Sequence, residues 1–385
     1  MKSAVFAVLL LAGAAFAAPS LAPLLNKGKE IIPNSYIVVL HRDVEVAGAK
    51  AFADSVNANR FLQIGQKFKA FTGVFTPSMI NKIRARTDLV KFVESDKVVR
   101  TFGTQTDATW GLDRSDQTDL PLDETFHYYD SAGAGVNAYI VDTGIRIGHN
   151  EFEDRAEYGY NFHDGTANAE DDNGHGTHVA GTVAGATYGL AKNATLIAVK
   201  VLGRLGSGSL TNVAAGVAWV AEQHNASSNK KTVANMSLGS SASTSMDQAV
   251  EAAIEEGVIF VLASGNSDDD ACDYSPARVA TAITVNASTN RDARASFSNY
   301  GSCTTLFAPG QDITSAYITS DSSVSTLSGT SMASPHVCGA VALLLGEEGE
   351  MTPAQAKARI IENATPDVIS DIGAGSDNLL LYTPY

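Results

Sequence analysis

At 385 residues, 18% charged and 44% hydrophobic, the chain has a globular rather than a disordered balance, with material for two or three domains. The formal net charge of −15 is unevenly spread: residues 18–104 carry 13 Lys+Arg and 7 Asp+Glu, whereas 105–385 carry 13 and 35. A body that acidic excludes nucleic acid as a partner, and a basic front segment would be drawn to it electrostatically.

The first seventeen residues, MKSAVFAVLLLAGAAFA, place Lys2 before an apolar run that ends in Ala15-Phe16-Ala17, which predicts a secretory signal over 1–17. The run is too short to span a bilayer comfortably, and no later stretch is long and apolar enough to do so. A secreted, extracellular protein with no membrane segment is expected.

Residues 34–100 predict a small α+β unit. SYIVVLH alternates as a strand, 47–62 follow helical spacing and FKAFTGVFT reads as a hairpin-like strand pair. TPSMINKIRA opens a helix at Thr-Pro, and LVKFVESD is a last strand. The order is β-α-β-β-α-β. TFGTQTD at 101–107 reads as an exposed linker. A first unit over 18–104, folded about 34–100, and a second over 105–385 are expected.

From Thr109 the pattern changes. VNAYIVDTG, ATLIAVKVL, TVANMSLG, GVIFVLASGN and AITVNAS are strand candidates. GTHVAGTVAG, SLTNVAAGVAWVAEQHN, MDQAVEAAIEEG and ASPHVCGAVALLL are helix candidates. Continuous apolar strands alternating with helices predict an α/β fold, a parallel sheet covered on both faces. Functional groups in such sheets sit at the carboxyl ends of strands.

Three cysteines leave one unpaired if a disulfide forms after export. Cys338 lies inside an apolar helix and reads as a buried, inert thiol. Cys272 and Cys303 then form the pair. The cysteines are not spaced for a metal.

Three polar residues stand where apolar segments end. Asp142 closes the strand AYIV, a costly place for a carboxylate unless it is partnered, although an Asp before a Gly-containing turn is common. His175 opens a helix in DDNGHGTH; His175 and His178 could face a metal, but His-Glu-x-x-His is missing. Ser331 precedes an apolar helix, where a serine is most often a cap. Together the three supply what acyl transfer needs: a hydroxyl, an imidazole to take its proton, and a carboxylate to orient the ring. Backbone N–H groups at the helix start after Ser331, and the amide of Asn266, could stabilise an oxyanion.

Three ordered motifs, YIVDTGIRIGHNEF, DDNGHGTHVAGTVAG and LSGTSMASPHVCGAVALLL, resemble the subtilisin-like serine proteases (subtilases), in particular the proteinase K-like branch. The resemblance covers about 110–385, and 34–100 resemble the family's inhibitory propeptide, a ferredoxin-like α+β domain. It implies a secreted endopeptidase, with Asp142 as orienting acid, His175 as base rather than His178 or His336, Ser331 as nucleophile and Asn266 as oxyanion donor. Gly206-Ser207-Gly208 and Ser237-Leu238-Gly239 would pair with an extended substrate. Ala263, Ser264 and Gly265 would line the pocket for the residue before the cut; they carry no charge, so a neutral aromatic or aliphatic side chain is expected there.

Further expectations follow from the resemblance. The Cys272–Cys303 bridge matches an aqualysin-like subgroup in which calcium is common. Asp113, Asp116, Gln117 and Asp123 resemble one of its calcium loops, against the plainer reading of a solvated acidic loop. Thr304-Thr305 stand where a second calcium-binding aspartate often lies, so that site lacks its charged ligand, and Val179 stands where some relatives carry a cysteine. No cofactor for catalysis and a monomer are implied. Partners would be polypeptide substrates and the chain's own propeptide as intramolecular inhibitor, released by a cut around 102–106. Sequons for N-glycosylation occur at Asn193, Asn225, Asn235, Asn286 and Asn363, of which Asn235 falls in a predicted buried strand. A lipase or esterase would need Gly-x-Ser-x-Gly and the order Ser-Asp-His, and neither is present. A decayed, non-catalytic relative is disfavoured because all four catalytic positions are filled.

Overall fold

The computed structural model describes residues 21–25, 31–97 and 102–384; the expected signal over 1–17 lies outside them. The chain forms two compact units, divided between Arg100 and Thr101.

The first unit is an α+β sheet with helices on one face. Its elements are β1 (Leu24–Leu25), β2 (Ile31–Leu40), α1 (Val46–Ser55), β3 (Arg60–Ile64), β4 (Phe68–Val74), α2 (Pro77–Arg84) and β5 (Val90–Lys97). The strand order is β1-β5-β2-β4-β3. Val38, Phe71 and Val93 stand side by side across three strands and bury against Ala49 and Ala53 of α1 and Ile80 and Ile83 of α2. Two expectations are corrected. The helix expected over 47–62 ends at Ser55, because Asn57 turns left-handed (φ 54°) and Ala58 N–H closes on the Ala53 carbonyl. FKAFTGVFT is one strand rather than two; the hairpin closes earlier, at Gly65 (φ 54°), and pairs β4 with β3.

The second unit begins with β6 (Phe102–Thr106), α3 (Trp110–Ser115) and β7 (Thr125–Tyr129). The expected linker at 101–107 is thus largely strand, antiparallel to β7, with the Tyr128 ring lying over Gly103. There follow β8 (Asn137–Asp142), β9 (Ala156–Asn161), α4 (His175–Ala184), β10 (Thr195–Lys200), α5 (Leu210–Ala226) and β11 (Thr232–Met236). Next come β12 (Ser240–Ser241), α6 (Thr244–Glu255), β13 (Ile259–Ala263), β14 (Tyr274–Ser275), β15 (Ile283–Ser288) and β16 (Leu306–Pro309). The unit closes with β17 (Ile313–Ala316), β18 (Val324–Leu327), α7 (Thr330–Glu348), α8 (Pro353–Asn363), β19 (Thr365–Pro366) and β20 (Leu379–Leu380).

Nine strands form the central sheet in the order β19-β20-β16-β15-β13-β11-β8-β10-β9, all parallel except β19 with β20. Side chains alternate between its faces. Along β8, Ala138 and Ile140 bury on the side of α4 and α7, whereas Tyr139 and Val141 bury on the side of α5 and α6. Chain order crosses over at β8, which pairs with β10 on one side and β11 on the other. Its carboxyl end is therefore a switch point, where open α/β sheets form a crevice.

Candidate active site

Asp142 is the last residue of β8 and falls in the alternation on the α4 face. Its carboxylate is fully buried and accepts the Thr143 N–H at 2.7 Å. His175 is the first residue of α4, and its Nδ1 lies 2.8 and 3.0 Å from the two Asp142 oxygens. An ionised carboxylate only accepts, so Nδ1 carries the proton and Nε2 keeps its lone pair. The Asp142 side chain is 0% exposed and that of His175 is 27% exposed, so the ring faces a crevice with its acid behind it. Burial works against the imidazolium, but the charge and hydrogen bond of Asp142 and the charge of Asp171 outweigh it. The His175 pKa is raised above its ordinary value.

The approach of α4 to the end of β8 depends on small residues and a polar clamp. A Cβ on Gly176 would stand 2.2 Å from the Gly144 carbonyl oxygen, so only glycine fits. Buried Asp171 accepts the Thr143 hydroxyl at 2.8 Å, the Asn173 and Gly174 N–H groups at 3.0 and 2.9 Å, and the Thr177 N–H and hydroxyl at 2.9 and 2.6 Å. One carboxylate thereby ties the residue after Asp142 to both flanks of His175. Lys200, 2% exposed at the end of β10, donates to the carbonyls of Thr143 (2.5 Å) and Leu202 (2.9 Å) and to Asp172 (2.7 Å).

Ser331 is the second residue of α7, inside the helix rather than before it. The capping role is overturned: Gly329 is the N-cap, and no side chain at that position caps the helix. The helix reaches back this far because Asn266 Oδ1, from the loop after β13, accepts both the Thr330 N–H (2.8 Å) and the Thr330 hydroxyl (3.0 Å), meeting an otherwise free donor of the first turn. The Ser331 hydroxyl donates to the Ser237 carbonyl at 3.3 Å. Ser237 Oγ in turn donates to the Ser331 carbonyl (2.8 Å) and accepts from Asn235 Nδ2 (2.9 Å), while Ser334 donates to Asn235 Oδ1 (2.6 Å). With Asn266 Oδ1 engaged, its Nδ2 is the free end of the amide. A Cβ on Gly329 would stand 3.5 Å from that Nδ2 and 3.6 Å from the Ser331 nitrogen, so both donors border one small space.

Two cavities adjoin beside this space. One of about 360 Å³ is lined by Asn173, His175, Leu202, Gly206, Ser207, Gly208, Leu210, Ser237, Leu238, Gly239 and Met246. The other, of about 260 Å³, is lined by Ala263, Ser264, Gly265, Asn266, Tyr274, Ala277 and Ser331. They share Leu238, Gly239, Ser240 and Ser275. His175, Ser331, Asn266 and the peptide-binding stretches therefore all face one continuous crevice, with Asp142 buried behind His175, and no charged residue lines the second cavity.

Against known proteins, residues 133–379 match the model of the subtilase family. The chain belongs to the subtilase family. Across nearly its full length it is 47% identical to an extracellular serine proteinase of Thermus sp. strain Rt41A, covering 94% of this chain and 93% of the relative. It is 48% identical to alkaline serine exoprotease A of Vibrio alginolyticus over 81% of this chain and 58% of that one. The crystal structure of a cold adapted subtilisin-like serine proteinase superposes with a TM-score of 0.70 at 48% identity, covering 73% of this chain and all of that one. This subtilase is a serine protease with the subtilisin-like α/β fold.

The remaining expected residues are placed as follows. Cys272 and Cys303 form a disulfide, with Cα atoms 5.4 Å apart, and Cys338 is free and buried, its thiol pKa pushed up by burial. His178 and His336 are buried on backbone carbonyls, and burial pushes their pKa values down to about 4. Asp113 accepts the Glu124 and Asp123 N–H groups, and Asp116 Oδ2 accepts the His127 N–H and pairs with its ring at 2.9 Å. Gln117 donates to the Asp119 and Pro121 carbonyls, and Asp123 accepts the Thr125 N–H. No group of three or more His, Cys, Asp or Glu close enough to hold a metal occurs among the described residues. Of the sequons, Asn235 and Asn286 are fully buried in β11 and β15, which closes both to a glycan in the folded chain. Asp171, Lys200, Thr330 and Tyr274 escaped the sequence reading. A lysine ending the buried run TLIAVK is the one signal that could have pointed to Lys200.

Proposed function

We propose that this subtilase is an exported endopeptidase in which Ser331 attacks the scissile carbonyl, His175 moves the proton and Asp142 holds the imidazole. As the Oγ–C bond forms, the Ser331 proton passes to His175 Nε2; the imidazolium then gives it to the leaving amine as the C–N bond breaks. Water repeats the sequence to release the acyl group. The tetrahedral oxygen would enter the space bordered by Asn266 Nδ2 and the Ser331 N–H, where charge develops. The observation that carries this reading is the His175 Nδ1–Asp142 pair at 2.8 Å at the edge of the crevice that Ser331 also lines.

The substrate would lie as an extended strand between Gly206–Gly208 and Ser237–Gly239, with the side chain before the cut in the uncharged cavity beside Ala263. A neutral aromatic or aliphatic residue suits that lining. The basic composition of 18–104 against the acidic body supports the first unit as a propeptide, removed by a self-cut around 102–106. Calcium would sit at Asp113 and Asp116. The fit rests on Asp116 Oδ1, a buried oxygen with no partner, and on a carboxyl pushed up to about 6 by burial and by the neighbouring Asp113 charge; a hard cation would satisfy both. Its contribution is structural.

Hydrolysis of a neutral chromogenic peptide by the wild type and by Ser331→Ala tests the reading. Activity that survives the substitution would refute it.

A further inference from the structure

We propose that Asn299 is a positioning residue that holds Asn266 where an oxyanion can use it; this rests on the reading of Asn266 as an oxyanion donor. Asn299 is fully buried in the segment between β15 and Cys303. Its Nδ2 donates to the Ser264 carbonyl at 3.0 Å, and its Oδ1 accepts the Ser267 N–H at 2.8 Å and the Asp269 N–H at 3.2 Å. Its backbone N–H donates to the Gly265 carbonyl at 2.9 Å. These bonds grip the loop on both sides of Asn266, whose own Oδ1 is engaged by Thr330. The loop wraps closely: Gly265 has φ 108°, and a Cβ there would stand 2.4 Å from Asn299 Nδ2.

The chemistry of the clamp is specific. The loop presents a carbonyl on one side and two N–H groups on the other, so the filler must donate and accept through one planar group. Aspartate lacks the donor, and an apolar residue would leave the buried Ser264 carbonyl and the Ser267 and Asp269 N–H groups without this partner. The outer end of the same loop is fastened separately, by the Cys272–Cys303 bridge and by the bonds of Ala271 and Tyr300. Nearer Asn266, Asn299 binds Ser264, Gly265 and Ser267, beside the bonds from the Gly265 N–H to the Thr330 hydroxyl and from the Asp268 N–H to the Phe297 carbonyl. Oxyanion donors act only within a few tenths of an ångström of their proper place, so a slackened loop would lose transition-state stabilisation before it lost substrate binding.

The test is a double-substitution cycle on the full chain, with Asn299→Ala, Asn266→Ala and both together, each matured by added wild-type enzyme and read against a Ser331→Ala floor treated alike. Asn299→Ala is expected to lower kcat about 10- to 100-fold with KM changed less than about threefold. Affinity for a peptide aldehyde, which forms the tetrahedral adduct, should fall by the same factor. In the Asn266→Ala background the second substitution should cost less than about twofold. An equal cost in both backgrounds, or an unchanged kcat, overturns the proposal. If Asn266→Ala alone leaves kcat intact, the oxyanion reading itself has failed, which is a separate result. Should Asn299→Ala fail to fold, Asn299→Asp, which keeps the accepted bonds and loses the donated one, takes its place in the same cycle.

Discussion

The two carboxylate oxygens of Asp142 lie 2.8 and 3.0 Å from Nδ1 of His175, and the carboxylate is wholly shielded from solvent while the ring is not. One side of the imidazole is committed to a fixed negative charge and the other is left for chemistry. Replacing Asp142 by Asn offers Nδ1 a neutral amide and allows the wrong tautomer. The kcat of Asp142→Asn on a neutral peptide is expected to fall by about 10⁴, with a folded, processed protein by circular dichroism. A fall of less than tenfold would contradict the pairing.

The same geometry sets a pH limb. Burial lowers the His175 pKa, the Asp142 and Asp171 charges raise it by more, and the net shift is upward. In the proposed mechanism His175 works as a base when neutral, so kcat/KM should rise with pH through an apparent pKa above the reference value of about 6.5. In Asp142→Asn the residual limb should move to lower pH, since the charge that favours the imidazolium is gone. A wild-type limb at or below the reference value would count against this account.

His178 and His336 act in the opposite sense on stability. Burial holds both near pKa 4 in the folded state, against about 6.5 unfolded. Between those values the unfolded chain binds more protons, so stability falls as pH falls from 6.5 to 4, by roughly 3 kcal/mol for each histidine. Urea midpoints of the inactive Ser331→Ala protein at pH 7.5, 5.5 and 4.5 measure it. His178→Gln should flatten the slope if the altered residue keeps the fold.

Lys200 joins the ends of β8 and β10 behind the site. Lys200→Met would leave the Thr143 and Leu202 carbonyls without their donor, at a cost of about 3 kcal/mol. Asp172 is half exposed and can return to water, so the lost ion pair adds little. A melting temperature unchanged within a degree would show that the buried ammonium is dispensable.

Chelation tests the loop at Asp113 and Asp116. If a cation relieves the unpartnered Asp116 oxygen, excess chelator should lower the melting temperature of the Ser331→Ala protein and added calcium should restore it. Asp116→Asn should remove the response. Identical melting curves with and without chelator would dismiss calcium there.

Much of this was legible in the chain. The alternation of Ala138 and Ile140 with Tyr139 and Val141 announces a strand buried on both faces, and the acid after it announces a site at its end. The strand Phe102–Thr106 was not legible, because a short polar run reveals pairing only once β7 is beside it. Nor was the true start of α7, since the group that meets its first free N–H belongs to Asn266, 64 residues earlier.

By itself the sequence determined which segments are apolar enough to be strands or helices and which side chains can carry acyl-transfer chemistry. Only the tertiary structure decided that Asn266 caps the helix of Ser331, that Asn299 grips the loop of Asn266, and that Lys200 braces the strand of Asp142. Burial preference and backbone propensity are local properties, readable residue by residue. A hydrogen bond between groups 35 to 64 residues apart exists only after the strand order has brought their elements together, and strand order is a property of the whole sheet.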